Sequence, residues 1–214
     1  MNHLSKKPPK QLSLEIDQET HSRIIASSSL NFQIELIEHV GKKDISQLIL
    51  ISDHLVEEFN EDVRLTQKSV KKYFNYPNTL PFVARKSKII IGYIIGVPLE
   101  YFINDPSFQC DSNLGENNTL YTYAFVVFKK YKGNGYAKTL KRVYINWAKK
   151  KGFKFVTGHV REGISQRFNG SVQILQRFEN WHGTNQKFEY YRRILISDYK
   201  SENPQLNPPF VAKV

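Results

Sequence analysis

The first half of the chain alternates between strand-like and helix-like patterns of apolar residues. Residues 32–40, FQIELIEHV, carry apolar and β-branched side chains at alternating positions, which predicts a β-strand. From Asp44 onward apolar residues recur every three or four positions, which predicts a helix that buries one face. Asp44 and Gln47 have the spacing of a capping box, so we expect this helix to begin there. A second, short helix is predicted over 66–73, before Pro77.

The strongest strand patterns lie after residue 80. The predicted strands are 82–87, 88–97, 120–128, 153–161 and 187–195. Residues 137–148 and 171–179 have helical periodicity, whereas residues 104–118 are irregular and rich in Asn, Asp, Ser and Gly. The order β-α-α-β-β-β-α-β-α-β predicts one α/β or α+β sheet with helices packed on it.

The two ends of the chain differ from this pattern. We expect residues 1–30 to form an N-terminal arm that is partly flexible, with a short edge strand over 12–16. Residues 31–197 are predicted to form one domain, and the polar, proline-rich residues 198–214 a C-terminal tail. With 214 residues, 40% of them hydrophobic, the chain is long enough to bury the core of one domain.

Composition narrows the cellular setting and the chemistry. Cys110 is the single cysteine, so no disulfide can form within the chain, and no Cys/His spacing predicts a metal site. No apolar stretch approaches the roughly 20 residues that a membrane helix requires, and the start of the chain lacks the apolar segment of a secretory signal. We therefore expect a cytoplasmic protein that does not enter a membrane.

Positive charge is concentrated in one block. The net charge is +11, and residues 129–154 contain ten Lys or Arg but no Asp or Glu. Such a block predicts an anionic partner, which can be nucleic acid, a membrane surface or a cofactor that carries phosphate. The alternative is a helix face that is simply solvated.

A glycine-rich turn begins this block. Residues 129–140 read KKYKGNGYAKTL and lie between a predicted strand and a predicted helix, a setting in which backbone N–H groups and the helix dipole bind phosphate. The dinucleotide fingerprint GxGxxG is excluded, because its third glycine would fall at Lys138. The nucleoside-triphosphate motif GxxxxGK[ST] is also absent.

The segment VFKKYKGNGYAKTL resembles the signature of the GNAT superfamily, the general control non-derepressible-related N-acetyltransferases. That signature is a valine that ends a strand, followed by Gln/Arg-x-x-Gly-x-Gly/Ala at the start of a helix. Val127 has the place of the valine, and Lys132 stands where the family has Gln or Arg. The residues that follow in the loop are Gly133, Asn134, Gly135, Tyr136 and Ala137.

The resemblance implies a fold and a cofactor. The fold is a mixed, mostly antiparallel central sheet with helices on both faces, in which the family's fourth and fifth strands, here 120–128 and 153–161, splay apart. The cofactor is acetyl-CoA. By this resemblance, the cofactor-binding residues are Phe125, Val126, Val127, Lys132, Gly133, Asn134, Gly135, Tyr136, Ala137, Lys138 and Asn169. The last of these corresponds to an Asn that contacts pantetheine.

The resemblance also implies direct transfer of the acetyl group to an amine in a ternary complex. The acceptor is a small-molecule or peptide amine, and a homodimer is possible. The strand that carries a glutamate base in many members has none here, which leaves Tyr123 as a proton relay or as packing. His159 is the better candidate for a base or a substrate contact, because an imidazole titrates near neutral pH, although a structural histidine is the competing interpretation. Glu162 is a weaker candidate.

Some expected features are missing or ambiguous. The position of the family's Tyr general acid holds Gln176, which leaves that role unassigned. Arg192 and Arg193 are predicted on opposite faces of the last strand, where one could bind a substrate carboxylate, although a surface position is favoured. Two alternatives stay open: a GNAT fold that binds acyl-CoA without transfer, and a basic module that binds nucleic acid, for which charge is the only support.

Overall fold

The structure is a computed structural model that describes residues 19–28, 31–57 and 59–195. The strands are β1 (His21–Ser28), β2 (Phe32–His39), β3 (Leu80–Lys86), β4 (Ile89–Pro98), β5 (Thr119–Val127), β6 (Phe155–Arg161), β7 (Val172–Phe178) and β8 (Phe188–Ile194). The α-helices are α1 (Lys42–Val56), α2 (Gln67–Phe74) and α3 (Tyr136–Lys150). Short 3-10 helices lie in several of the connections. The predicted mixed α/β fold is confirmed.

The eight strands form one sheet in the order β1-β2-β3-β4-β5-β6-β8-β7. The pairs β1–β2, β2–β3, β3–β4, β6–β8 and β7–β8 are antiparallel, whereas β5 and β6 are parallel. Residues Thr119–Tyr121 of β5 pair with Phe155–Thr157 of β6, and in the described chain the pairing of these two strands ends there. Both the mostly antiparallel sheet and the splay of these strands agree with the prediction.

The described chain divides into two compact units. The first combines the residues up to Val97 with Thr122–Tyr144, and the second combines Pro98–Tyr121 with the residues from Ile145 onward. The unit boundaries therefore fall at the last residue of β4, inside β5 and inside α3.

The sequence did not predict β1, which pairs with β2 and lies within the range assigned to the N-terminal arm. The predicted strand over 12–16 and the predicted domain boundaries at 30/31 and 197/198 involve residues outside the described ranges. These boundaries therefore stay predictions.

In the first unit, helices cover both faces of the sheet. Phe82 and Arg85 of β3 point to opposite faces because side chains alternate along a strand. The Phe82 ring contacts the Tyr144 ring of α3, with 6.4 Å between centroids. Arg85 binds Asp44 of α1, with 2.8 Å between Nη2 and Oδ2. The two helices thus pack on opposite faces, as expected.

The predicted capping box at Asp44 and Gln47 is wrong. Helix α1 begins at Lys42, and its N-cap is Gly41, which has no side chain that could accept a hydrogen bond from the first turn. Asp44 instead forms an ion pair with the half-buried Arg85, and Gln47 accepts a hydrogen bond from the N–H of Ile90 at 3.1 Å. A guanidinium that is largely removed from water needs a carboxylate partner, and this need takes the Asp44 side chain. Helix α2 does have a capping box, formed by Thr66 and Ser69.

The predicted helix over 171–179 is also wrong. This segment is strand β7, which pairs with β8 from Val172 opposite Arg193 to Phe178 opposite Phe188. Apolar residues in VQILQRF fit either period, and a short apolar segment cannot be assigned from periodicity alone. Hydrogen bonding to β8 decides the outcome, because strand preference depends on tertiary context.

Candidate functional site

The glycine loop belongs to the first unit and has an open main chain. A 3-10 turn, Lys129–Tyr131, leads into the loop, and α3 begins at Tyr136. Gly133 and Gly135 have φ values of +85° and +76°, in the region that favours glycine. In the described structure no heavy atom lies within 4 Å of the place where a Cβ would stand on either residue. The loop therefore has room for a ligand against its backbone.

The loop is fixed from within. The amide of Asn134 donates to the carbonyls of Tyr131 and Lys132 at 3.3 and 3.2 Å. Both the N–H and the hydroxyl of Thr139 donate to the carbonyl of Gly135, at 3.0 and 3.1 Å. The N–H groups that precede Thr139 have no acceptor within the helix, because the first four of any α-helix lack one. Together with the helix dipole, they can bind an anion.

Aromatic rings and lysines flank this loop. The Tyr136 ring packs on the Phe32 ring of β2, with 4.6 Å between centroids. The Lys86 ammonium lies 5.4 Å from the centroid of Tyr136, and the Lys130 ammonium 5.1 Å from that of Tyr131. A hydrogen bond to the Tyr136 hydroxyl raises the pKa of Lys86. Positive charge is therefore held on both sides of the glycines.

Helix α3 separates its apolar and basic residues. Leu140, Tyr144, Ile145 and Ala148 are buried, whereas Lys138, Arg142, Lys149 and Lys150 are exposed. Ala137, which was predicted on the apolar face, is exposed at the start of the helix. The basic block is therefore accessible along much of its length.

The C-terminal half of β5 lies in the same unit as the loop. Val126 and Val127 are buried, and Phe125 is half-buried. Gly92 of β4 lies under this segment, because a Cβ there would be 2.6 Å from the Val126 carbonyl oxygen. Tyr123 stacks on Tyr73 of α2 at 3.9 Å, and burial raises the pKa of its hydroxyl. A raised pKa makes the Tyr123 hydroxyl a weaker acid, so it stays protonated near neutral pH.

His159 lies in the second unit, inside a group of aromatic rings. Its side chain is 8% exposed, and its Nδ1 lies 3.1 Å from the Tyr121 hydroxyl. The imidazole stacks on the Trp181 ring at 3.9 Å. Further rings surround it: Phe108, Phe178 and Tyr190. The Tyr121 contact can set the tautomer and the orientation of the ring, which a histidine needs for either a catalytic or a structural role.

Asp111 forms a buried polar cluster in the same unit. It is 2% exposed, accepts a hydrogen bond from the Tyr190 hydroxyl at 2.8 Å and forms an ion pair with Arg192. The Asn113 amide, with its oxygen toward Arg192, accepts hydrogen bonds from Nε and Nη2 at 3.1 and 3.2 Å. Burial raises the pKa of the Tyr190 hydroxyl, and the Asp111 charge acts in the same direction. This cluster ties the irregular segment 104–118 to β8.

Sequence comparison identifies the family. The profile of the acetyltransferase (GNAT) family matches residues 49–168, more than half of the chain, and this range includes the glycine loop. The chain belongs to the GNAT acetyltransferase family. No curated protein matches it in sequence.

Solved structures share the GNAT fold at low sequence identity. The structure of yncA from Salmonella typhimurium with its cofactor acetyl-CoA has a TM-score of 0.59 and 13% identity, and covers 78% of this chain and 95% of its own. Ribosomal-protein-alanine N-acetyltransferase from Brucella melitensis has a TM-score of 0.54 and 15% identity, and the match covers 73% of this chain and 97% of that one. Aminoglycoside 6′-acetyltransferase type Ii has a TM-score of 0.55 and 13% identity, and the match covers 76% of this chain and 97% of that one. Identities this low show a common fold.

The remaining predicted site residues of this GNAT chain differ in their exposure. Glu162 is exposed, with its carboxylate 3.5 Å from Arg177. Asn169 is exposed in the loop before β7, and Gln176 is exposed on β7 itself. The expected surface position of Arg192 is wrong, because Asp111 holds that side chain in a buried ion pair. Arg192 was also considered as a residue that binds a substrate carboxylate, but the carboxylate that it binds is that of Asp111.

Sequence reasoning missed the partners of His159 and Arg192. Tyr121, Trp181 and Asp111 are distant from them along the chain, and no spacing pattern connects such residues. Burial raises the pKa of the Cys110 thiol, which disfavours the thiolate form.

The described residues contain neither a candidate membrane span nor a cluster of metal ligands. No helix of the described ranges is long and apolar enough to cross a membrane. No group of three or more His, Cys, Asp or Glu side chains in those ranges is arranged to hold a metal ion.

Proposed function

We propose that the protein is an acetyl-CoA-dependent N-acetyltransferase that acts by direct attack of a primary amine in a ternary complex. The observation that carries the proposal is the open glycine loop at the start of α3, in a chain that belongs to the GNAT family. Bound acetyl-CoA supplies the acetyl group as a thioester. The acceptor is a small-molecule or peptide amine, and the proposed location is the cytoplasm.

The glycine loop binds the pyrophosphate in this proposal. The N–H groups of Gly133, Gly135 and Ala137 donate to phosphate oxygens, and Lys132 and Lys138 supply charge. Lysine at 132 keeps the positive charge of the family's arginine but lacks its two-pronged geometry. The two glycines fit this role, because a side chain at either would occupy the space that a phosphate needs.

Two further contacts of the cofactor come from other parts of the chain. The backbone of Phe125–Val127 in β5 hydrogen-bonds to the pantetheine arm. Asn169 makes a second contact to that arm. Both assignments follow the family correspondence and would be tested by the pantetheine dependence of binding.

His159 receives the proton of the attacking amine in the proposed reaction. An imidazole is suited to this role because its pKa lies near neutral pH, and the Tyr121 hydroxyl holds its ring in place. Tyr123 and Glu162 are weaker alternatives. The close packing of Trp181 on His159 equally fits a structural histidine, so a matched pair of variants is needed to separate the two roles.

Two other functions have specific support. Acyl-CoA binding without transfer is supported by Gln176, which stands where the family has its general acid. Nucleic-acid binding is supported by the exposed basic residues of α3. Affinity for oligonucleotides that falls steeply with salt would favour the second.

The cofactor claim is tested by calorimetric titration with acetyl-CoA. We expect the unaltered protein to bind with a dissociation constant on the order of micromolar, and Gly135→Glu to abolish binding through its side chain and charge. Gly115→Glu is the matched control, because Gly115 also has a positive φ, +97°, and open space around its Cβ position. A folded, unaltered protein that fails to bind would overturn the proposal.

The role of His159 is tested with His159→Asn and Tyr121→Phe. Release of the CoA thiol is measured with a panel of amines, together with cofactor affinity and melting temperature. Lost turnover with unchanged affinity and melting temperature supports a catalytic His159. A large fall in melting temperature in His159→Asn would assign this residue to the fold instead.

A further inference from the structure

We propose that Lys86 of β3 binds a phosphate group of acetyl-CoA, as a cation supplied from outside the glycine loop and oriented by Tyr136. This inference rests on the proposed function and adds a residue to its cofactor site. It depends on three features of the first unit: the position of Lys86, the packing of Tyr136, and the turn that follows β3.

The Lys86 ammonium lies beside the loop. Its Nζ is 5.4 Å from the ring centroid of Tyr136 and 6.0 Å from that of Tyr131. These two tyrosines stand immediately before and after the segment 132–135, which contains both glycines. A lysine ammonium is charged at neutral pH, and the hydrogen bond to Tyr136 raises the pKa of Lys86 further. A distant part of the sequence therefore adds a positive charge to this loop.

Tyr136 is held from the sheet as well as from the helix. It is the first residue of α3, and its ring packs on Phe32 of β2 at 4.6 Å. Phe32 is directly opposite Lys86 in the pairing of β2 with β3, so both side chains project from the same face. The contact with Lys86 thus acts on the residue at which the main chain passes from the glycine loop into the helix.

The turn after Lys86 is fixed in an uncommon conformation. Ser87 and Lys88 have φ values of +47° and +71°, although neither is a glycine. The N–H of Ser87 donates to the carbonyl of Asn31 at 2.9 Å, and the carbonyl of Lys88 accepts from Arg85 Nη1 at 3.1 Å. Arg85 is itself anchored by ion pairs, so the backbone is held on both sides of Lys86.

Arg85 does not compete with Lys86 for an anion. Its guanidinium forms ion pairs with Glu35 and Asp44, at 2.9 and 2.8 Å, on the opposite face of the sheet. Two carboxylates compensate its charge. Within residues 19–28, 31–57 and 59–195, by contrast, the contacts of the Lys86 ammonium are two neutral rings and one hydroxyl, which leaves its charge for an incoming phosphate.

The same chemistry fits two phosphate groups of the cofactor. An ammonium is a compact cation with three donors, and it binds a pyrophosphate oxygen or the 3′-phosphate of the adenosine equally well. Coenzyme A has both groups, whereas dephospho-coenzyme A lacks the 3′-phosphate. A titration with both compounds separates the two sources.

The test compares Lys86→Met with Lys88→Met by calorimetric titration. Both variants remove one lysine from the same hairpin, but only Lys86 contacts the tyrosines of the loop among the contacts of the described chain. We expect acetyl-CoA to bind about 10-fold more weakly to Lys86→Met, the equivalent of about 1.4 kcal/mol, and within about twofold of normal to Lys88→Met. Tyr136→Phe keeps the ring, removes the hydroxyl and should give an intermediate loss.

The outcomes distinguish this inference from the proposed function. If the unaltered protein binds and Lys86→Met binds equally well, the role of Lys86 is wrong and the loop assignment stands. An equal loss in Lys86→Met and Lys88→Met would also overturn it, because general charge would explain both. Failure of the folded, unaltered protein to bind would remove the proposed function itself. A loss with coenzyme A but not with dephospho-coenzyme A would assign Lys86 to the 3′-phosphate, and an equal loss with both to the pyrophosphate.

Discussion

The glycine loop of the first unit and the region around His159 and Asp111 in the second both contain polar groups that form hydrogen bonds, but the loop is exposed and the other region is buried. Gly133 and Gly135 are exposed, with open space where a side chain would be. His159 and Asp111 are buried, and their polar atoms contact tyrosines and an arginine of the chain. The loop keeps hydrogen-bonding capacity for a ligand, whereas the buried region uses much of its capacity internally.

The difference indicates what a substitution can reveal in each region. A change in the loop removes few contacts within the protein, so its effect should be on binding. A change in the buried region leaves a partner unsatisfied, so its effect should first be on stability. Activity lost in a variant of the second region therefore says little until the melting temperature is known.

The largest effect should come from Asp111→Ala. This change leaves the buried Arg192 without its carboxylate, which should lower the free energy of unfolding by about 3–5 kcal/mol. Denaturant unfolding measures the loss, and calorimetry should give normal acetyl-CoA affinity for the folded fraction. Glu116→Ala is the control, because Glu116 is an exposed carboxylate in the same irregular segment. A loss below about 1 kcal/mol would show that the ion pair contributes little.

Gly92→Ala and Gly133→Ala lie in the same unit but should differ in their effects on stability and on acetyl-CoA binding. A Cβ at Gly92 would be 2.6 Å from the Val126 carbonyl, so β4 and β5 must move apart, at a cost of about 1–3 kcal/mol. The Cβ added by Gly133→Ala would contact no other part of the described chain, so only the positive φ opposes this change. It should lower the free energy of unfolding by about 1–2 kcal/mol at most. It should also weaken acetyl-CoA binding. Thermal unfolding compares the two. If both changes alter stability alone, the loop is an ordinary turn.

Alkaline pH should weaken the buried region through Tyr190. Its pKa is raised in the folded protein, so the folded state keeps a proton that the unfolded tyrosine loses above about pH 10. The stabilisation is complete below that pH and decreases above it, by about 1.4 kcal/mol per pH unit for one tyrosine. Tyr190→Phe should reduce the slope measured between pH 10 and 12. An unchanged slope in Tyr190→Phe would contradict the assignment.

The smallest effect should come from Lys149→Ala on the exposed side of α3. We expect the free energy of unfolding to change by less than about 0.5 kcal/mol, because the side chain is exposed. Acetyl-CoA affinity should stay within about twofold of normal. A strong loss of oligonucleotide binding in this variant, measured by fluorescence anisotropy at low salt, would support the nucleic-acid alternative instead.

The sequence predicted features whose causes are local. The glycine loop depends on a few consecutive residues, and most strands depend on alternation within one segment, so both could be assigned without a structure. Strand β7 could not be assigned in this way, because its apolar residues fit both the helix and the strand period and its hydrogen bonds to β8 decide between them. The role of Asp44 depends on Arg85, which is far away in the sequence.

The candidate site divides in the same way. The residues from Val127 to Lys138 could be proposed as cofactor-binding from the sequence, because the family signature that they resemble is a local pattern. The neighbours of His159 could not, since Tyr121, Phe108 and Trp181 come from three separate segments. Packing of this kind is a property of the folded chain, and only a conspicuous number of aromatic residues hinted at it.

The position of the unit boundaries restricts how this protein can be rearranged in evolution. Each unit is assembled from two stretches of chain, and the exchanges occur at the last residue of β4, inside β5 and inside α3 rather than in loops. A recombination event that replaced one unit with that of a relative would need three crossovers, two of them in strands and one in a helix. The crossovers in strands would have to preserve hydrogen-bond register, because a slip of one residue in a strand turns every following side chain to the opposite face. The two halves of this enzyme fold are therefore expected to be inherited together.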